Sequence, residues 1–132
     1  MKFWIVLFLS LITALPAYAE DTDGNHAVWG IGQSSCHSYT KAREAGEYSD
    51  YKVYLMGYLT AYNSLIPETY NIAGARDLNE VLAWIDAHCK KTAMDSYEHA
   101  LKQMVTEMHE TRSKKVMGSQ AWGKQGSRRP EQ

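Results

Sequence analysis

No stretch of this chain alternates apolar and polar residues long enough to make a strand, so nothing in it argues for a β-sheet. No Gly-x-Ser-x-Gly or comparable nucleophile elbow accompanies its serine, histidine and aspartate residues, which leaves a hydrolase without its usual frame. There is no Cys-x-x-Cys pair of the kind that supports thiol redox chemistry. The longest apolar run, Phe3 to Leu15, is about 13 residues, short of the roughly 20 that cross a hydrocarbon core. A permanent membrane anchor is not expected on that count.

What the first residues do contain is the pattern of a cleavable export signal. Lys2 precedes the apolar run, Pro16 breaks it, and Ala17-Tyr18-Ala19 gives the small-x-small pattern that a signal peptidase accepts. No cysteine sits at the cut, which argues against a lipoprotein. Residues 1–19 are read as signal peptide and residues 20–33 as an irregular arm. A helical domain over 34–110 and a basic flexible tail over 111–132 complete the layout. The expected localisation is periplasmic or secreted, in a Gram-negative envelope. Such a compartment is oxidising, and the default reading of the two cysteines, Cys36 and Cys89, is one intramolecular disulfide. Closing a loop of that length stabilises a small domain by roughly 4 kcal/mol on the chain-entropy model.

Charge is split along the chain. Residues 20–110 carry seven Lys/Arg against fourteen Asp/Glu, a net of −7. Residues 111–132 carry six Lys/Arg against Glu131 alone, a net of +5. For an exported chain no nucleic-acid partner is expected, and the basic end suits anionic lipid, an acidic protein or the chain's own acidic domain.

Four helices account for the periodicity. The first starts at Ser34 or Ser35, carries Cys36, Tyr39, Thr40 and Arg43, and ends near Gly46. The second is capped by Ser49, places Tyr51, Leu55, Tyr58, Leu59, Tyr62 and Ile66 at three- and four-residue steps, and is closed by Pro67. A loop covers Glu68 to Arg76. Asp77-Leu78-Asn79-Glu80 has the form of a capping box, and Leu78, Val81, Leu82, Ile85 and Cys89 follow on one face. After a break around Lys90–Ala93, Tyr97, Leu101, Met104 and Met108 form a packing seam. Beyond Thr111, glycines and clustered charge suggest disorder. The fold expected is a small all-α, four-helix domain stapled by one disulfide, with a disordered basic C-terminal tail.

Several residues are candidates for function. Cys36-His37 and His88-Cys89 invite a zinc reading, but helix neighbours point about 100° apart and finger-type gaps are missing, so no metal and no cofactor is expected. Tyr48, Tyr51 and Tyr54 near the start of the second helix are candidates for a protein-binding face. Trp29 and Ile31 in the arm are expected to tuck onto the domain. The pairs Glu98-His99 and His109-Glu110 read as exposed helix face. In the tail, Lys114, Lys115, Lys124, Arg128 and Arg129 around Trp122 are candidates for electrostatic contact with a lipid interface.

The signal segment, Cys36, Cys89 and the roughly fifty residues between them resemble the HdeA/HdeB-like acid-stress chaperones of the periplasm. That resemblance implies a four-helix domain whose disulfide links the first helix to the end of the third. It also implies binding of other proteins in acid. The segment Met56-Gly57-Tyr58-Leu59-Thr60-Ala61-Tyr62-Asn63 looks like the Gly-Tyr-Ile-x-Gly helix of Tai/Rap-type periplasmic immunity proteins. Leu78–His88 and Ser96–Met108 look like their last two helices. The string Trp84-Ile85-Asp86-Ala87-His88-Cys89 is also similar to exported proteobacterial proteins with no assigned function. The expected activity is therefore non-enzymatic: protein binding, as an HdeA-like acid-stress chaperone whose partner is another envelope protein. The alternatives are an inhibitor of a cell-wall-degrading toxin and an envelope adaptor that meets the membrane surface through its tail. The acid route has a physical basis. With its carboxylates neutralised and histidines charged, the mature chain carries roughly +19, and self-repulsion loosens the domain. The sequence leaves the oligomeric state open.

Overall fold

The computed structural model describes Asp21 and residues 25–116, and among them four α-helices and no strands. The helices are α1 (Cys36–Ala45), α2 (Ser49–Leu65), α3 (Leu78–Lys91) and α4 (Tyr97–Met108), with short 3-10 turns at Gly30–Gln33 and His109–Thr111. The signal segment lies outside the described residues.

Local chemistry sets the helix ends. The Ser35 hydroxyl accepts from the Ser38 N–H at 3.2 Å, and Ser96 accepts from the His99 N–H at 3.1 Å. Each satisfies a donor that the first turn leaves free. Asp77 and Glu80 form the reciprocal capping box of α3, at 2.9 and 2.8 Å. Gly46 ends α1 in the left-handed region (φ +76°), and the Gly46 and Glu47 N–H groups reach back to the Ala42 carbonyl. Ser49 is not a cap: it is the first helical residue, after Tyr48, which makes no side-chain capping bond. Asp50 in the first turn supplies the negative charge that the helix start favours.

The core lies between the helices. Leu55, Ile72, Val81, Leu82, Ile85, Leu101 and Met104 are all buried. At its centre Tyr39, Tyr51 and Tyr97 pack ring against ring, with centroids 4.9–5.3 Å apart. Both cysteines are buried and form the Cys36–Cys89 disulfide, which ties the start of α1 to the C-terminal part of α3. Beside it the backbones that open α1 and α4 pair: Cys36 N–H donates to the Asp95 carbonyl at 2.8 Å, and Tyr97 N–H to Ser34 at 2.7 Å.

Two expectations need correction. Ile31 packs against the core, but Trp29 stands 80% exposed, because the Gly30 turn (φ +63°) directs the chain inward only after it. Ordered packing also runs past residue 110. Ser113 pairs in antiparallel fashion with Asn71, exchanging backbone bonds of 2.9 and 3.1 Å, and Arg112 donates to the Thr69 hydroxyl. Gly74 makes this possible, since a side chain there would meet the Thr111 carbonyl oxygen.

Candidate functional site

Polar chemistry gathers where helices meet, around three carboxylates. Asp86 lies one residue beyond the inward-facing Ile85 on α3, which aims it at α1. It accepts the Tyr39 hydroxyl at 2.7 Å and a two-pronged bond from Arg43, Nε to Oδ1 and Nη2 to Oδ2, both 3.1 Å. The Arg43 guanidinium also lies 4.3 Å over the Tyr48 ring. Burial first, and then the Asp86 hydrogen bond, push the Tyr39 hydroxyl well above its ordinary range. Arg43 is raised further, first by its own hydrogen bond to Asp86. Thr40, Glu44 and Lys90 complete an open groove of about 180 Å³ beside this triad. Within it Asp86 is already engaged by two donors, while Glu44 is exposed.

Glu98 is the buried charged residue among those described, 7% exposed. The spacing explains it: Glu98, Leu101, Val105 and Met108 follow a 3-4-3 register along the inner face of α4. Its carboxylate meets His26 Nε2 of the arm at 3.2 Å, and the Tyr58 hydroxyl donates to it at 3.5 Å. Burial first, and then this carboxylate, raise the Tyr58 hydroxyl and, more mildly, that of Tyr54. Asp95, in the α3–α4 turn, faces His88 at 3.2 Å and His99 at 4.0 Å, with the His88 ring stacked on Trp84. Tyr62 and His109 meet at 2.9 Å. No buried side-chain nitrogen or oxygen among the described residues lacks a partner. The reading of Glu98 as exposed helix face is thus overturned, because its position falls on the seam of α4. His109 is likewise half-covered, while His37 is exposed.

The tyrosine face does not form as one surface. Tyr51 is in the core, 6% exposed, with the Tyr97 hydroxyl bonded to its carbonyl at 3.2 Å. Tyr48 lies over Arg43, on the side of α1. Tyr54 packs in the aromatic cluster, at a place where Gly32 leaves room for its hydroxyl. Steps of three along a helix sweep all three across its inner face, so only partial edges of Tyr48 and Tyr54 reach solvent. Of the basic residues, Lys114 pairs with Glu68 at 3.5 Å in the open and Lys115 is exposed. Lys124, Arg128, Arg129 and Trp122 lie outside the described residues.

Among the described residues no cluster of three or more histidine, cysteine or acidic side chains could hold a metal ion. No helix there is long and apolar enough to cross a membrane. No family model, curated protein or solved structure matches this chain.

Proposed function

We propose that this chain is an exported, non-enzymatic protein-binding module whose binding surface is released by acid. One observation carries the reading. The polar clamps between elements rest on Asp86, Asp95 and Glu98, whereas the covalent tie between α1 and α3 does not titrate. Strong acid protonates carboxylates as a class. Carboxylates as a class then no longer balance the histidines, lysines and arginines, and the chain as a whole becomes strongly positive. The repulsion that follows loosens the arm and α4 and uncovers the apolar faces of Leu101, Met104 and Met108. The disulfide limits how far the chain expands. The outcome is an acid-activated binder of unfolded envelope proteins, in keeping with the sequence resemblance to HdeA/HdeB-like proteins.

The test is light scattering of an aggregating client at pH 2.5 and pH 7, read beside near-ultraviolet circular dichroism of the mature chain. Suppression at pH 2.5 alone, together with loss of the tyrosine signal, is the expected result. A domain that keeps its near-ultraviolet spectrum at pH 2.5, or one that never suppresses aggregation, refutes it.

A second reading rests on Trp29 and Met94, which stand 80% and 90% exposed. Large apolar side chains held clear of an acidic domain suit anchors for a basic cell-wall hydrolase, and Trp29→Ala with Met94→Ala would then abolish inhibition without changing the melting temperature.

A further inference from the structure

Sulfur in this chain is divided between hidden and open positions. The two cysteines are joined in the buried Cys36–Cys89 disulfide, so no thiol competes for a mild oxidant. The oxidisable sulfurs are therefore thioethers, and the described residues include four of them. Met104 and Met108 are 0% and 2% exposed on the inner seam of α4. Met56 on α2 is 42% exposed, and Met94, in the turn between α3 and α4, is 90% exposed.

The turn that carries Met94 is fixed on both sides. The Ala93 carbonyl accepts the His37 N–H at 2.9 Å, and the Asp95 carbonyl accepts the Cys36 N–H at 2.8 Å. The Asp95 N–H closes the turn on the Thr92 carbonyl at 3.0 Å. Backbone bonds thus hold the position, while the Met94 side chain stands clear of the domain and has little packing to lose. One added oxygen turns a flexible apolar side chain into a polar one. In the core that change disrupts a fold. At Met94 it alters only the surface that a partner meets.

We propose that Met94 is a reversible oxidation site, the first of these four methionines to react, through which a peroxide changes the surface of the domain without changing its fold. The thioether sulfur attacks one oxygen of hydrogen peroxide. The O–O bond breaks, an S–O bond forms, and the second oxygen leaves as water with both protons. Sulfur is oxidised by two electrons and the peroxide is reduced by the same two. A methionine sulfoxide reductase fed by a dithiol reverses the change: the dithiol becomes a disulfide and the oxygen leaves as water. Where Met94 anchors a cell-wall hydrolase, the same oxygen weakens that contact, but the oxidation itself does not rest on that reading.

Hydrogen peroxide added to the folded mature chain, followed by tryptic peptide mapping, tests this. Cleavage after Lys52, Arg76, Lys91, Lys102 and Arg112 puts Met94 alone in residues 92–102, Met56 in 53–76, and Met104 with Met108 in 103–112. Met117 lies outside the described residues and falls in a peptide of its own. Residues 92–102 should gain their oxygen at least about tenfold faster than 103–112, and ahead of 53–76. The near-ultraviolet spectrum should not change, and retention of the native chain on a hydrophobic-interaction column should fall. Treatment with the reductase and its dithiol should restore that retention. In denaturing urea the peptides should oxidise at similar rates. Met94→Leu keeps the apolar bulk and should abolish the early fall in retention. Equal rates in the folded chain, loss of the near-ultraviolet signal as Met94 oxidises, or a fall in retention that persists in Met94→Leu overturns the proposal. Inhibition of a hydrolase is a separate readout and bears on the anchor reading alone.

Discussion

Replacing the cysteines tests the frame on which the domain depends. Cys36 and Cys89 are 53 residues apart in sequence and both are buried. On the chain-entropy model, opening a loop of that size returns about 4 kcal/mol of disorder to the unfolded chain. For a domain of this size 1 kcal/mol moves the melting temperature by about 4–8 °C, so Cys36→Ala should melt roughly 20 °C lower than the parent. Cys89→Ala should lose a similar amount. The double variant should lose little more than either single one, because the second substitution removes half of a bond already gone. Thermal melts followed at 222 nm, with urea titrations for the free energies, give all three values. Additive losses, or a single loss below about 1 kcal/mol, would refute the reasoning, since the first denies a shared bond and the second denies its weight.

Tyr39→Phe keeps the buried ring but removes the 2.7 Å donor to Asp86; urea titration should show a loss of about 1–2 kcal/mol, and no change would mean that Arg43 alone satisfies the carboxylate. Tyr39 and Tyr97 are fully buried, and burial is the main cause that raises each hydroxyl above its ordinary value. Their contribution to stability is therefore complete below the unfolded value near 10 and falls above it, where only the unfolded chain releases the proton, at about 1.4 kcal/mol per pH unit for each. Absorbance at 295 nm should show these two ionising together with loss of the near-ultraviolet signal; ionisation in a chain that stays folded would contradict the burial. Gly74→Ala should cost about 2 kcal/mol in urea titration, since it joins an unfavourable φ of +65° to a clash with the Thr111 carbonyl oxygen. A neutral result would detach the Asn71–Ser113 pairing from the fold.

The helices were legible because their signals are local. Ser35, Gly46, Asp77-x-x-Glu80 and the 4-3-4 spacing from Tyr97 to Met108 each act within one or two turns, and the structure uses all of them. What stayed hidden is set by tertiary register. Ser49 has the chemistry of a cap, yet the backbone enters its helix one residue earlier. Tyr51 resembles a surface tyrosine in composition, but its position between Tyr39 and Tyr97 exists only once α1 and α4 have docked. Glu98 and Asp86 carried a usable sign, an acid on or beside an apolar seam, which composition by itself does not separate from a solvated one. The strap of residues 111–113 depends on backbone pairing with Asn71, and no side-chain pattern announces such a pairing.

The pairing of Ser35 with Ser96 bears on how fast the molecule assembles. These residues are about sixty apart along the chain, and a contact so distant is slow to find by diffusion. Once Cys36 is joined to Cys89, the search runs only through the bond and the short stretch from Cys89 to Ser96, an effective loop of about eight residues. The closure entropy then falls by about 1.8 kcal/mol, from the three-halves logarithm of loop length. Oxidised chains should therefore dock α4 roughly twentyfold faster than reduced ones. The bond acts as a kinetic shortcut, and a chain kept reduced should assemble more slowly by about that factor.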